Sequence, residues 1–290
     1  MYSTILVPID ESGGAEEAVS RAFEFAQTFG AAVHVLYVVD TGTEPTGLGD
    51  QQRDEVRQPV EKHGRQVTTR VHERATERGL EARRAVHEGV PHRTILEYAD
   101  EHGVDLITMG THGRTGPDRV RLGSTAERVI GRADVPVLIA RLTEGELDAD
   151  TVDYDRVVIP TDGSDAAERA ARQGLEIAES YGASVYVPYV IDTASYDLED
   201  TSRSIVGLLK EGGQNAIEAI ADDARGRGLS VKTDVLRGVP DKELVEYVDG
   251  VKGDLVAMGT RGRGGASGDL LGSTTARVLR ESDRPILTVR

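Results

Sequence analysis

Two stretches of the chain carry glycine and hydroxyl residues at a spacing suited to holding an anion. The first reads Met109-Gly110-Thr111-His112-Gly113-Arg114-Thr115-Gly116 and continues to Leu122-Gly123-Ser124-Thr125. The second reads Met258-Gly259-Thr260-Arg261-Gly262-Arg263-Gly264-Gly265 and continues to Leu271-Gly272-Ser273-Thr274. Each gives glycine, two residues, glycine, nine residues, then Gly-Ser. Glycine lets the backbone approach a ligand with no Cβ in the way and adopts positive φ cheaply. A Gly-Ser step that opens a helix leaves free N–H groups and the positive dipole end facing outward. That is phosphate-cradling chemistry. The same glycines would also serve a strand-to-helix turn with no ligand, and Ser124 with Glu127 would make a capping box that needs none. Ser273 lacks that second partner, because Ala276 stands at the equivalent place.

Other chemistries find less support. No Gly-Lys-Ser/Thr sequence of the Walker type is present, and no histidine or carboxylate recurs beside both glycine loops. With no cysteine, disulfides, zinc–thiolate sites, iron–sulfur clusters and thiol nucleophiles are excluded together. All seven histidines (His34, His63, His72, His87, His92, His102 and His112) lie in the first half, at spacings that match no ligand pattern, so no side-chain metal site is expected. Among 290 residues, 34 basic side chains face 50 acidic ones, a net charge of −16. A surface so negative repels phosphate backbones and anionic membranes, which argues against nucleic-acid and membrane partners. No apolar run approaches the roughly 20 residues of a membrane span, and the start, Met1-Tyr2-Ser3-Thr4, has no basic leader region. A cytoplasmic location is expected. Only five basic residues are lysine (Lys62, Lys210, Lys232, Lys242 and Lys252). Together with few aromatics and many carboxylates, this resembles proteins of halophilic cells, where salt screens an acidic surface.

The elements that position the loops follow from an internal repeat. Residues 5–41 match 157–193 at 16 of 37 positions, and residues 78–141 match 227–290 at 28 of 64. Two domains follow, 1–142 and 153–290, joined by an acidic linker over 143–152. Within the first copy, Ile5 to Ile9 reads as a buried strand, 14–29 as a helix ending at Gly30, and Val33 to Val39 as a second strand. Val56, Val60, Val67, Val71 and Ala75 then recur near the helical period, with Pro59 kinking or starting that helix. Ala82 to Val86 is a weak strand, Pro91 suits the first turn of a third helix, and Asp105 to Met109 is a strand. A short helix over 124–131 and a strand from Val135 to Ala140 complete the copy; the second copy closes with Pro285 to Val289. Strand and helix alternate throughout. That order predicts an α/β architecture, a doubly wound parallel sheet with helices on both faces, and a ligand beyond the carboxyl ends of the strands.

The glycine spacing, the Val-Pro-Ile-Asp start and the Ala-Asp-Val-Pro-Val-Leu end resemble the universal stress protein family in its tandem form. The resemblance implies five strands in the order 3-2-1-4-5 in each copy and a bound adenine nucleotide, ATP or else AMP or ADP, with Mg²⁺ on its phosphates. It implies that Asp10 and Asp162 contact the nucleoside and that the backbones of Val38 and Val190 meet adenine. Met109, Gly110, Gly113, Gly123, Ser124 and Thr125 would hold ribose and phosphates in the first site. Met258, Gly259, Gly262, Gly272, Ser273 and Thr274 would do so in the second. Asp10 and Asp162 would equally serve as turn or cap residues before a helix. The copies depart from each other at Glu11 against Gly163, His112 against Arg261 and Arg121 against Leu270, so the two sites are not expected to be equivalent.

The function so implied is a nucleotide-binding stress-response or signalling module with no dedicated catalytic residues, slow ATP hydrolysis aside. The last strands would pair the copies into a pseudo-dimer, with further homo-oligomers open. One alternative is an assembly module that binds no nucleotide. The other is an ATP pyrophosphatase or adenylating enzyme, suggested by Ser12-Gly13-Gly14 after the first strand; Ala15-Glu16-Glu17 departs from that motif.

Overall fold

The computed structural model describes residues 1–10, 13–42, 49–110, 122–140, 154–193, 203–262 and 270–290. The chain divides into two compact units, Met1–Asp150 and Thr151–Arg290. The expected linker at 143–152 lies outside the described residues.

The first unit runs β1 (Thr4–Ile9), α1 (Gly13–Phe29), β2 (Ala32–Asp40), α2 (Asp50–Glu77), β3 (Ala82–Gly89), α3 (Pro91–Glu101), β4 (Leu106–Gly110), α4 (Ser124–Ile130) and β5 (Val137–Ala140). Parallel pairing of β3 with β2, β2 with β1, β1 with β4 and β4 with β5 gives the order 3-2-1-4-5. The second unit repeats it with β6 (Arg156–Val158), α5 (Asp165–Tyr181), β7 (Ser184–Asp192), α6 (Arg203–Gly226), β8 (Val231–Gly238), α7 (Pro240–Gly250), β9 (Leu255–Gly259), α8 (Ser273–Glu281) and β10 (Ile286–Val289). Its pairs are β8 with β7, β7 with β6, β6 with β9 and β9 with β10, again all parallel.

The central strands are apolar on both faces because helices cover both. Ile5, Leu6, Val7 and Ile107 are fully buried. On β2, Tyr37 lies against Gly64 of α2, whereas His34 meets Tyr98 of α3. His34 and Tyr37 are three positions apart, an odd spacing, so they point to opposite faces of the pleat. The strand β3 is longer than its composition suggests. All eight residues pair with β2, from Val33 opposite Ala82 to Asp40 opposite Gly89. Its exposed residues Arg83, Arg84, His87 and Glu88 hide the strand pattern from the sequence.

Three local expectations need correction. Pro59 lies inside α2 and does not start it; Gln52 Oε1 instead accepts from the Gly49 N–H at 3.0 Å at the helix entrance. The capping box of Ser124 and Glu127 does not form, because Gly123 is the N-cap and makes no side-chain bond. Gly123 does the same work in extended geometry that Gly272 does for α8. The final strands also begin later than expected, at Val137 and Ile286. Pro136 has no N–H and serves instead as an acceptor, its carbonyl taking the Ile107 N–H at 3.1 Å.

Candidate functional site

In the first unit the carboxyl ends of β1, β2 and β4 open into one pocket of about 560 Å³, within the range of small-molecule sites. Six of the residues singled out from the sequence line it: Asp10, Val38, Met109, Gly110, Ser124 and Thr125. They come from three elements, β2, β4 and α4, and from the residue that follows β1, brought together by the strand order. Gly123 is buried as the helix cap and does not line the pocket. Gly113, Glu11, His112 and Arg121 lie outside the described residues.

The polar end of the pocket is the start of α4. Because Gly123 is the cap, the N–H groups of Ser124, Thr125 and Ala126 precede the first intrahelical bond, which runs from the Glu127 N–H to the Gly123 carbonyl at 2.9 Å. Freed from capping, the Ser124 hydroxyl stands exposed at the pocket edge. An apolar part of the lining is formed by Leu36, Val38 and Val39 of β2 with Ile95 of α3. A ligand with a flat apolar part and an anionic part fits this division.

Not every glycine is there for a ligand. A Cβ on Gly110 would come within 2.3 Å of the Gly14 carbonyl oxygen, and one on Gly259 within 2.9 Å of the Ala166 carbonyl carbon. These two glycines let the first helix of each unit press against its fourth strand. They hold the site's frame and would be required with the site empty.

In the second unit Ser164 and Gly262 both lie beside the Asp162 carboxylate. Its Oδ1 accepts from the Ser164 N–H at 3.0 Å, and Ser164 caps α5 by accepting from the Ala167 N–H at 3.3 Å. The turn role weighed for this aspartate is therefore realised. Its second oxygen, Oδ2, lies 2.4 Å from where a Cβ on Gly262 would sit, so the Asp162 carboxylate faces the glycine loop. The Gly272 N–H donates to the Thr260 carbonyl at 2.9 Å and the Thr275 hydroxyl to the Gly259 carbonyl at 2.8 Å, tying the end of β9 to the start of α8. Ser273 and Thr274 occupy the first turn of α8, with Ser273 exposed. Met258 is buried and Val190 half-buried on their strands. Arg261, aligned with His112, is half-buried, with Nε shielded from solvent and making no hydrogen bond among the described residues.

Sequence reasoning missed the outer wall of the first pocket, which is formed by Val56, Arg57 and Val60 of α2 and Pro91 of α3. The available signal was a pair of valines in a stretch otherwise rich in charge and amide. Among the described residues no group of three histidine, aspartate or glutamate side chains could hold a metal ion. No described helix is long and apolar enough to cross a membrane.

Comparison with known proteins agrees with the repeat. The model of the universal stress protein family matches residues 1–141 and again 153–290. A universal stress protein of Methanocaldococcus jannaschii is 39% identical over 140 residues, 47% of this chain and 82% of that protein. One from Mycolicibacterium smegmatis is 25% identical over 302 residues and spans both copies, with 99% of this chain and 96% of that protein covered. The crystal structure of a universal stress protein from Archaeoglobus fulgidus superposes with a TM-score of 0.73 at 22% identity, covering 99% of this chain and 96% of that one, which supports the fold.

Proposed function

Since the chain belongs to the universal stress protein family, as two copies in tandem, we propose that each unit binds one adenine nucleotide and that the protein acts as a nucleotide-dependent stress-response or signalling module. The observation that carries this reading is the pocket of the first unit, where Asp10, Val38, Met109, Gly110, Ser124 and Thr125 meet around one volume. Adenine would take the apolar part beside the Val38 backbone, and Asp10 would meet the ribose. The free N–H groups of α4 and the Ser124 and Thr125 hydroxyls would hold the phosphates. Bound ATP would supply the oxygens for Mg²⁺. In the second unit Asp162, Gly262, Ser273 and Thr274 would take the same parts.

We assign no acid–base pair or nucleophile, and in this reading the chain's residues bind and orient the nucleotide as a module with no dedicated catalytic residues, slow ATP hydrolysis aside. Isothermal titration of the full chain with ATP and AMP tests this. Saturable binding of two equivalents is expected, falling to one in Gly262→Val, whose side chain would displace the Asp162 carboxylate. Failure of every adenine nucleotide to bind would reject the proposal in favour of an assembly module.

A further inference from the structure

Half of α2 has no core to pack against. From residue 51 to residue 62 no side chain is buried, and the first buried position is Gly64. Within that stretch Val56 is 52% exposed and Val60 38%; with Met1 they are the exposed large apolar residues among the described ones. A surface helix normally turns such residues inward. Here, one turn apart, both line the first pocket, with Arg57 between them.

Arg57 is tethered. Its Nη1 donates to Glu88 Oε2 at 2.7 Å, and its side chain is 23% exposed. Glu88 stands opposite Val39 in the β2–β3 register, next to the Val38 backbone that lines the apolar part of the pocket. The guanidinium is thus a fixed, permanently charged group beside that part.

The sequence of the second unit departs from this arrangement at its charged pair. Gly64 packs on Tyr37 and Gly213 on Tyr189, which sets the register of α2 against α6. In that register Ile205, Val206 and Leu209 match Val56, Arg57 and Val60, and Arg237 matches Glu88. The cation and its anchoring carboxylate are both replaced.

We propose that Val56, Arg57 and Val60 form a base-recognising wall found in the first site alone. The valines cover one face of a purine ring, and Arg57, positioned by Glu88, meets its edge. This rests on the nucleotide reading of the same pocket. Binding would remove two exposed valines from water, which favours a ligand with a flat ring over one that ends at the sugar. Ribose 5-phosphate would reach the start of α4 without touching the wall.

The test uses the full chain with Gly262→Val closing the second site. Val56→Ser/Val60→Ser is expected to weaken AMP and ATP about tenfold, and Arg57→Gln severalfold, with ribose 5-phosphate unchanged in both. All three positions are solvent-facing or rim residues, so the variants should fold, and circular dichroism checks this. In the unaltered chain, the Val56 and Val60 methyl resonances should shift on adding AMP and stay still with ribose 5-phosphate. If the variants bind AMP like their parent, the wall is wrong and the nucleotide reading stands. Equal losses for AMP and ribose 5-phosphate overturn it too, as a general effect on the pocket. If the unaltered chain binds no nucleotide, both proposals fall.

Discussion

The second half of each unit is the same backbone carrying different chemistry. Where α3 meets α4, the first unit buries His92 among Arg128, Arg132 and Arg93, and burial first, then those cations, pushes its pKa below the usual histidine value. The second unit has Asp241 at that position, buried, with Arg277 Nη1 donating to it at 3.2 Å. At the start of β1, Asp105 accepts from the Ser3 N–H at 2.8 Å, the Ser3 hydroxyl at 2.7 Å and the Thr4 N–H at 2.9 Å. Among the described residues its counterpart Asp254 accepts from the Asp155 and Arg156 N–H groups, at 3.1 and 2.9 Å. The joints are conserved as places; the interactions filling them are not. A fold whose strand order is fixed by its apolar core can exchange a neutral histidine for an ion pair at its rim.

The largest difference should appear where the first helix touches the fourth strand. Gly110 faces Gly14, and Gly259 faces the larger Ala166. Gly110→Ala should cost about 3 kcal/mol, because the obstructing atom is a backbone oxygen, and Gly259→Ala about 1–2 kcal/mol. Hydrogen exchange followed separately in each unit measures both losses. Equal losses would show that the helices adjust to the added methyl alike and erase this contrast.

Next in size is the α7–α8 pair. Arg277→Ala leaves the buried Asp241 carboxylate without this donor and should destabilise the second unit by about 1–2 kcal/mol. Arg128→Ala in the first unit removes a cation from beside a buried histidine and should stay within about 0.5 kcal/mol of the parent. Matching losses in the two units, read by the same exchange experiment, would mean the ion pair contributes nothing specific.

The smallest effect, and the sharpest in sign, concerns the two aspartates. Burial pulls the Asp105 pKa up, but the Ser3 hydroxyl, the Ser3 and Thr4 N–H groups and the chain's terminal amine together hold it below the ordinary value of 3.8. Burial pushes Asp254 above 3.8, and the neighbouring Asp155 carboxylate adds to the rise. Asp105 therefore contributes stability above its unfolded pKa, lost as pH falls through the lower folded value. Asp254 has the opposite sign: its charged form costs the fold near neutrality, and that cost is relieved as pH falls through its raised pKa. Carboxyl NMR titration should find the two midpoints on opposite sides of 3.8. Asp155→Ser should carry Asp254 downward; an unmoved midpoint would remove Asp155 as a cause.

Much of this was legible beforehand. The repeat exposed two copies of one topology, and the apolar runs at Ile5 to Ile9 and Asp105 to Met109 marked central strands because nothing but burial on both faces tolerates them. The edge strand β3 reads short in the sequence because Arg83, Arg84, His87 and Glu88 face solvent, so half of its pattern is polar. The Ser124–Glu127 signature suggested a cap one residue too late, since glycine in extended geometry caps without leaving a side-chain trace. In α2, Val56 and Val60 share the period of Val67 and Val71, yet Val71 is buried and Val56 is not. Periodicity reports which residues share a stripe, and says nothing of where the core beneath that stripe stops.

The contact of Gly64 on Tyr37, repeated as Gly213 on Tyr189, bears on the history of the chain. From tyrosine to glycine the first copy spans 27 residues and the second 24, so the length change between the copies falls wholly before the pinned glycine. A missing Cβ against a flat ring acts as a bookmark. After duplication, segments ahead of it could grow or shrink while everything behind it kept its place.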